Sequence, residues 1–375
     1  MKNKQTEASF ALLRAGLWEK EVRLLPYGEV DYNEIMRLAE EQSVVGLVAA
    51  GMEHVSDTKI PKQDLLQFIG QTLQIEEQNK AMNYFIGVLV DKMRNEGIYT
   101  LLLKGQGIAQ CYERPLWRSC GDVDFFLSDE NYAKAKSFLT PLAERVEKEY
   151  FREKHLGMNI DPWVVELHGS LYCGLSSRIE KELDYVYRDT FLGGNIRSWN
   201  NENVQVHLLT PENDSFYVFT HILQHFYKGG IGLRQICDWC RLLWRYRSEL
   251  CVSLLEKRIC KAGLITEWRA FAAFAVDYLG MPVEAMPLFH ESETQNHILH
   301  RKAVMIKDFV LEVGNMGHNR DKSYFEKYPY VIRKTISFNR RCRDLVRHAK
   351  IFPKDSVRIF PSIMLHGIIS AFRGE

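Results

Sequence analysis

Tyr99-Thr-Leu-Leu-Leu-Lys104-Gly105-Gln106-Gly107, followed after a short interval by Arg118-Ser-Cys-Gly-Asp122-Val-Asp124-Phe-Phe-Leu127, is the stretch that decides how this chain folds. Val164-Val-Glu166-Leu-His168-Gly-Ser-Leu171 completes it. Residues 98–103 are an apolar run bounded by Gly97 and Gly105, which predicts a buried strand. Gly105 to Cys111 fits a short helix, residues 113–121 with Pro115 a loop, and Asp122 to Leu127 a second strand. Side chains alternate along a strand, so Asp122 and Asp124 share one face while Val123 and Phe125 take the other. Glu166, between Val165 and Leu167, is a lone acid on a later apolar run. Carboxylates crowded on apolar strands repel one another and require a hard cation or a shared proton between them. If the strands are neighbours, the three acids converge, enough to hold two Mg²⁺ ions, or Mn²⁺, beside a triphosphate. Backbone N–H groups in the turn Lys104-Gly105-Gln106-Gly107, where glycine permits close approach, suit a phosphate. No activated Ser or Cys accompanies them, which points to in-line attack on phosphorus.

Outward from this core, Ser128 before Asp129 and Glu130 predicts a capped helix running to about Leu139. Residues 145–160 alternate weakly, as a hairpin does, and Asp161-Pro162 leads into a strand from Trp163 to His168. Upstream, helical spacing covers residues 8–54, with Asp31 placed to cap, and a further helical pattern runs from Pro61 to Asn95-Glu96-Gly97, with or without a break. Downstream of Gly193-Gly194-Asn195, a short strand at Val204 to Leu208 precedes helices from Pro211, from Leu233 to Tyr246 and from Leu254 to Leu279. The expected class is α+β, with an N-terminal helical region at 1–76, a catalytic core at 77–200 and a C-terminal helical domain at 201–375.

The run Lys-Gly-x-x, then Tyr112, Pro115 and Arg118, then Gly-Asp-x-Asp and Glu-x-His, resembles a bacterial nucleotidyltransferase family of the polymerase-β-like superfamily. The likeness covers roughly residues 78–245, including the helical segment from Thr220-His221 to Leu242. It implies a small polymerase-β-like sheet flanked by helices, and transfer of a nucleoside monophosphate from an NTP, ATP first, to an acceptor with release of pyrophosphate. By the same likeness Asp122 and Asp124 are paired metal ligands, Glu166 is the third carboxylate, and Gly105 holds the phosphate-binding turn. The chain departs from the superfamily's usual Gly-Gly or Gly-Ser turn, because Lys104-Gly105-Gln106 offers no hydroxyl. Lys104 or Arg118 is then expected to supply positive charge to the phosphates. The acceptor, a small molecule or a protein, is not named by the residues.

Other signals are weaker. His168 shares Glu166's face, where it orients that carboxylate, touches substrate or serves as a core histidine. His221 and His225 lie four apart on one helix face, with no third ligand evident, and His221 falls near the expected cleft. Cys237-x-x-Cys240 lies within a helical pattern and reads as packing. Asp238 is left open between facing the cleft and capping a neighbouring contact. The net charge of +1 gives no overall reason for nucleic acid or membrane, yet residues 320–375 hold 13 of the 49 Lys and Arg and 5 of the 48 Asp and Glu. That basic tail leaves nucleic acid open, although a solvated helical face is favoured. Eight dispersed cysteines suggest reduced thiols, and no apolar run is long enough to span a bilayer, so a cytoplasmic setting is expected. Two rival readings remain: a non-catalytic nucleotide-binding or regulatory protein, and an RNA-modifying transferase.

Overall fold

The computed structural model describes residues 2–150, 153–320 and 327–372. Four helices open it: α1 (Lys2–Trp18), α2 (Tyr32–Glu41), α3 (Val45–Glu53) and α4 (Lys62–Asn95). Asp31 caps α2 by accepting from the N–H groups of Asn33 and Glu34. α1 and α3 cross with backbones almost touching: a Cβ at Gly16 would lie 1.8 Å from the Leu47 carbonyl oxygen, so only glycine fits there. α4 is continuous across residues 76 and 77, and Gly97, at φ +69°, turns the chain away just beyond its end.

The sheet has seven strands in the order β3-β4-β5-β2-β1-β7-β6. They are β1 (Leu101–Leu103), β2 (Asp122–Phe126), β3 (Arg145–Val146), β4 (His155–Ile160), β5 (Trp163–His168), β6 (Ile196–Asn201) and β7 (Val204–Leu209). α5 (Gly105–Ala109), α6 (Asp129–Leu139) and α7 (Ser177–Phe191) connect them, with Ser128 capping α6. β1 runs antiparallel to β2 and parallel to β7; β2 runs parallel to β5, which pairs antiparallel with β4. The hairpin expected over 145–160 is therefore present as β3 and β4, and the residues beyond it enter β5 through a cis Asp161–Pro162 bond.

Period-two alternation sorts the two faces of the sheet. Leu102, Val123, Phe125, Val165, Leu167, Leu156 and Met158 point to one face and pack with Met82, Ile86 and Met93 of α4 and with Ala135 and Leu139 of α6. Leu101, Leu103 and Phe126 point to the other, where α8 (Pro211–Lys228) and α9 (Leu233–Arg245) lie in the same hydrophobic cluster. That cluster also takes in α1 to α3, α10 (Val252–Ala262), α11 (Ile265–Leu279) and α12 (His297–Val313). Arg14 and Trp18 of α1 donate to the carbonyls of Tyr278 and Leu279, tying α1 to the end of α11. α13 (Tyr330–Ile351) and α14 (Pro353–Phe372) follow.

Three local expectations are corrected. The helix expected from Leu254 to Leu279 is two, because Gly263 adopts the left-handed conformation at φ +75° and closes α10 with bonds to the carbonyls of Cys260 and Ile259. β6 and α7 were not anticipated. β6 is a sheet-edge strand of Ile-Arg-Ser-Trp-Asn-Asn, too polar to register as a buried run. α7 shows alternating charge on its outer side and buries Ile179, Leu183 and Val186 at helical spacing.

Candidate active site

Asp122 and Asp124 sit on β2 and Glu166 on β5, with Asp124 directly opposite Glu166 in the parallel pairing. The register puts all three acids on the sheet face that α8 and α9 cover, and all three line one cavity of about 260 Å³. Asp124 is 1 % exposed. Its Oδ1 accepts from His168 Nε2 at 2.8 Å and lies 3.3 Å from Lys104 Nζ. Repulsion from Asp124, and then burial, push the Asp122 carboxyl above its ordinary range. Burial opposes the charge on Glu166, but hydrogen bonds from His155 and His168 outweigh it and hold this carboxyl well below the usual range. His168 is the converse: burial disfavours its charge, while its bonds to Asp124 and Glu166 raise its pKa.

Lys104 closes the end of β1 at φ +48°, and Gly105 follows at φ +41°. A lysine in this half of the conformational map is unusual, and strain of this kind collects at binding sites. A Cβ at Gly105 would come within 3.3 Å of Cys120 Sγ, so the turn's approach to β2 favours glycine. Lys104 Nζ also reaches His221 Nε2 at 3.3 Å and lies over the Tyr217 ring. Burial works against its charge, yet Asp124, Tyr217, Asp122 and Glu166 together keep its pKa above the ordinary lysine value. The ammonium is thus a fixed positive charge among the acids.

The remaining expected residues divide. The Gln106 side chain turns out of the cleft: its Nε2 donates to Asn79 on α4 at 2.6 Å, and Asn79 in turn holds the carbonyls of Leu116 and Arg118. Only backbone groups of Gln106 remain available to a phosphate. Arg118 lines the cavity, but its guanidinium is gripped by Asp238, with Nε–Oδ1 at 2.9 Å and Nη2–Oδ2 at 2.6 Å, and Tyr112 Oη donates to the same carboxylate. Asp238 therefore both faces the cleft and neutralises Arg118. His221 does reach the cleft, and His225 lies against it, Nε2 to Nε2 at 3.1 Å. Burial, then Lys104, push His221 well below its ordinary value and His225 down to about 4, so both imidazoles are neutral.

Two residues that the sequence did not single out complete the site. Arg234, early in α9, lines the cavity, donates to the Ser119 carbonyl at 2.7 Å and leaves its buried Nε without a hydrogen-bond partner. Its charge reaches Asp122. The only signal for it was its place just after the Gly229-Gly230-Ile-Gly232 break. His155 lies opposite His168 across β4 and β5 and donates to Glu166 Oε2 at 3.1 Å. A second cavity of about 410 Å³ shares Lys104, Glu166, His221 and His225 with the first, adds His155 and His168, and extends past Tyr172, Gln224 and Lys228. Glu166 and Lys104 thus stand where two hollows meet, one with Arg234 and the glycine turn, the other with polar and aromatic side chains. Among the described residues, no helix is long and apolar enough to cross a membrane.

Comparison with known proteins gives the following. A family model described as an uncharacterised nucleotidyltransferase matches residues 28–280. The crystal structure of an antigenic nucleotidyltransferase-like protein from Paracoccidioides brasiliensis is 14% identical, over 53% of this chain and 92% of that one, with a TM-score of 0.32. No curated protein matches the chain.

Proposed function

Since this chain belongs to that nucleotidyltransferase family, matched over more than half its length, we propose that it moves a nucleoside monophosphate from an NTP, ATP first, to an acceptor hydroxyl on a small molecule or protein. The observation that carries the reading is the register of β2 and β5, which sets Asp124 beside Glu166 with Asp122 on the same face of a shared cavity. The donors fit a divalent ion: they are hard oxygens, and the mutual repulsion that raises Asp122 is relieved by a cation between them. Asp122, Asp124 and Glu166 would hold Mg²⁺, two ions or with Mn²⁺ in place of one, and such ions neutralise charge on the phosphates and the attacking oxygen.

The chain's own residues supply the rest. The Lys104-Gly105 turn and Arg234 bind the triphosphate in the smaller hollow, and Lys104 places its charge beside the reacting phosphorus. The acceptor occupies the hollow running past Tyr172 and Gln224. Its hydroxyl is oriented by Glu166, whose carboxylate His155 and His168 keep ionised. As the hydroxyl oxygen attacks the α-phosphorus its proton passes to the Glu166 carboxylate, the bond to the bridging oxygen breaks, and pyrophosphate leaves on the opposite side. Supplying α-phosphate-labelled NTPs to the protein in cell extract tests this. Label is expected to enter an acceptor with wild type and not with Asp124→Asn; equal labelling by both proteins would refute the assignment.

A further inference from the structure

Beyond the oxygen cluster, the cleft contains a set of donors of a different kind. His155 Nε2 lies 3.1 Å and His168 Nε2 3.5 Å from the same atom, Glu166 Oε2. One ligand atom from each of the three residues lies within 4.8 Å of the others. The arrangement follows from the sheet. His155 and His168 are directly paired across β4 and β5, and Glu166, two residues from His168 on β5, shares their face. Opposite Glu166 stands Gly157, and the Glu147 side chain from β3's end lies over that glycine. The three side chains border the larger hollow, with exposures of 22% for His155, 29% for Glu166 and 14% for His168, so an ion can enter.

Two imidazoles and a carboxylate are poor ligands for Mg²⁺, which prefers oxygen and keeps its waters, and good ligands for Mn²⁺, Co²⁺ or Zn²⁺. The geometry points to a second, mixed nitrogen–oxygen site, His155–Glu166–His168, that binds one divalent transition-metal ion beside the Asp122–Asp124 pair, the ion drawing His168 Nε2 from its 2.8 Å bond to Asp124 Oδ1. This deepens the transferase reading by naming the ion class on the Glu166 side, and it rests on that reading for the part the ion plays. Glu166 then belongs to both kinds of site, since it also lines the cavity of the aspartates. Activity measured with Mg²⁺ alone would accordingly understate what the protein does.

The test uses the full chain, stripped with chelator and titrated with Co²⁺, Zn²⁺ and Mg²⁺ by calorimetry, with the Co²⁺ absorption band reporting nitrogen ligation. One equivalent of Co²⁺ is expected to bind at least about 100-fold more tightly than Mg²⁺, with the band present. Replacing His155 separates ligation from simple hydrogen bonding. His155→Gln keeps a hydrogen bond to Glu166 but no good ligand, and should weaken Co²⁺ binding by about 10–100-fold. His155→Glu adds a carboxylate that repels Glu166 without metal yet ligates with it, and should retain most of the affinity. The reverse order, with Gln retaining and Glu losing, overturns the proposal and makes His155 a positioning residue. Asp122→Asn should keep the Co²⁺ band; its loss there would assign the ion to the aspartates and overturn the second site. Failure of the wild-type protein to bind Mg²⁺·ATP while His155-dependent Co²⁺ binding persists would sink the transferase reading alone.

Discussion

At the scale of single residues the cleft separates two arginines that a sequence cannot tell apart. Arg118 is bound at both ends of its fork by Asp238, and both partners are buried, so its charge is consumed within the protein. Arg234, which lines the carboxylate cavity, gives one guanidinium nitrogen to a carbonyl and leaves its buried Nε unsatisfied. Arg234→Ala is therefore expected to raise the KM for NTP by roughly tenfold or more, since a charge-assisted bond to phosphate contributes about 1.5–3 kcal/mol, while leaving the melting temperature near wild type. Arg118→Ala, by stranding a buried carboxylate, should instead cost about 3–5 kcal/mol of stability. Calorimetric NTP titration and thermal melts on both proteins distinguish the roles. If Arg118→Ala melts normally and fails to bind NTP, the assignment is reversed. Asp122, Asp124 and Glu166 were legible because an acid on an apolar strand has few structural excuses. His155, Arg234 and the outward turn of Gln106 were not, because each depends on register or chain path rather than on local pattern. The sequence could place Gln106 in the turn; only the Asn79 contact reveals which way its amide faces.

At the scale of elements, α13 is held to the body by the buried His348 and Ile351 and by the ion pairs Asp344–Arg320 and Arg347–Glu312. His348 is 2% exposed and packs against the rings of Phe226, Tyr227 and Phe309. Burial, then the charges of Arg320 and Arg347, push its pKa down to about 3. Between that value and the ordinary 6.5 the unfolded chain binds a proton that the folded one refuses, so stability rises with pH across this window and is full above it. On acidification below about pH 6.5 the anchoring of α13 should weaken by up to about 1.4 kcal/mol per pH unit. Hydrogen exchange across residues 330–351 at pH 7 and pH 5 measures this, and His348→Phe should abolish most of the difference. A wild-type exchange pattern that is unchanged at pH 5 would exclude His348 as the sensitive group. Nothing local in the sequence marked this histidine, since its aromatic cage comes from α8 and α12. Caps, by contrast, were readable: Asp31 and Ser128 sit where their side chains accept backbone N–H groups. The polar edge strand β6 and the Gly263 break escaped because hydrophobic periodicity is blind to a two-sided polar strand and to a single left-handed residue inside a continuous helical pattern.

For the whole molecule, the governing fact is that the acids lie at the boundary between the sheet and a single helical cluster built from both ends of the chain. α1 to α3 and α8 to α12 share that cluster, so its continuity, invisible in a sequence divided at 76 and 200, couples the cleft wall to the rest of the protein. Without a cation, the carboxylates are balanced only in part by Lys104 and His168, and Asp122 carries the residual repulsion as a raised pKa. A ligand that binds the folded state alone adds RT ln(1 + [L]/Kd) to global stability, about 2.7 kcal/mol at a hundredfold excess over Kd. Mg²⁺ with ATP should accordingly raise the melting temperature by several degrees, and the two together by more than the sum of either alone, because triphosphate and acids share the ion. Chelator should erase the gain, and Asp122→Asn should remove the synergy even though it relieves repulsion and so melts no lower than wild type without ligand. Repeating the melts with GTP, CTP and UTP ranks the bases. If ATP stabilises equally with and without Mg²⁺, the ion does not bridge protein and nucleotide, and the carboxylate face has a different purpose.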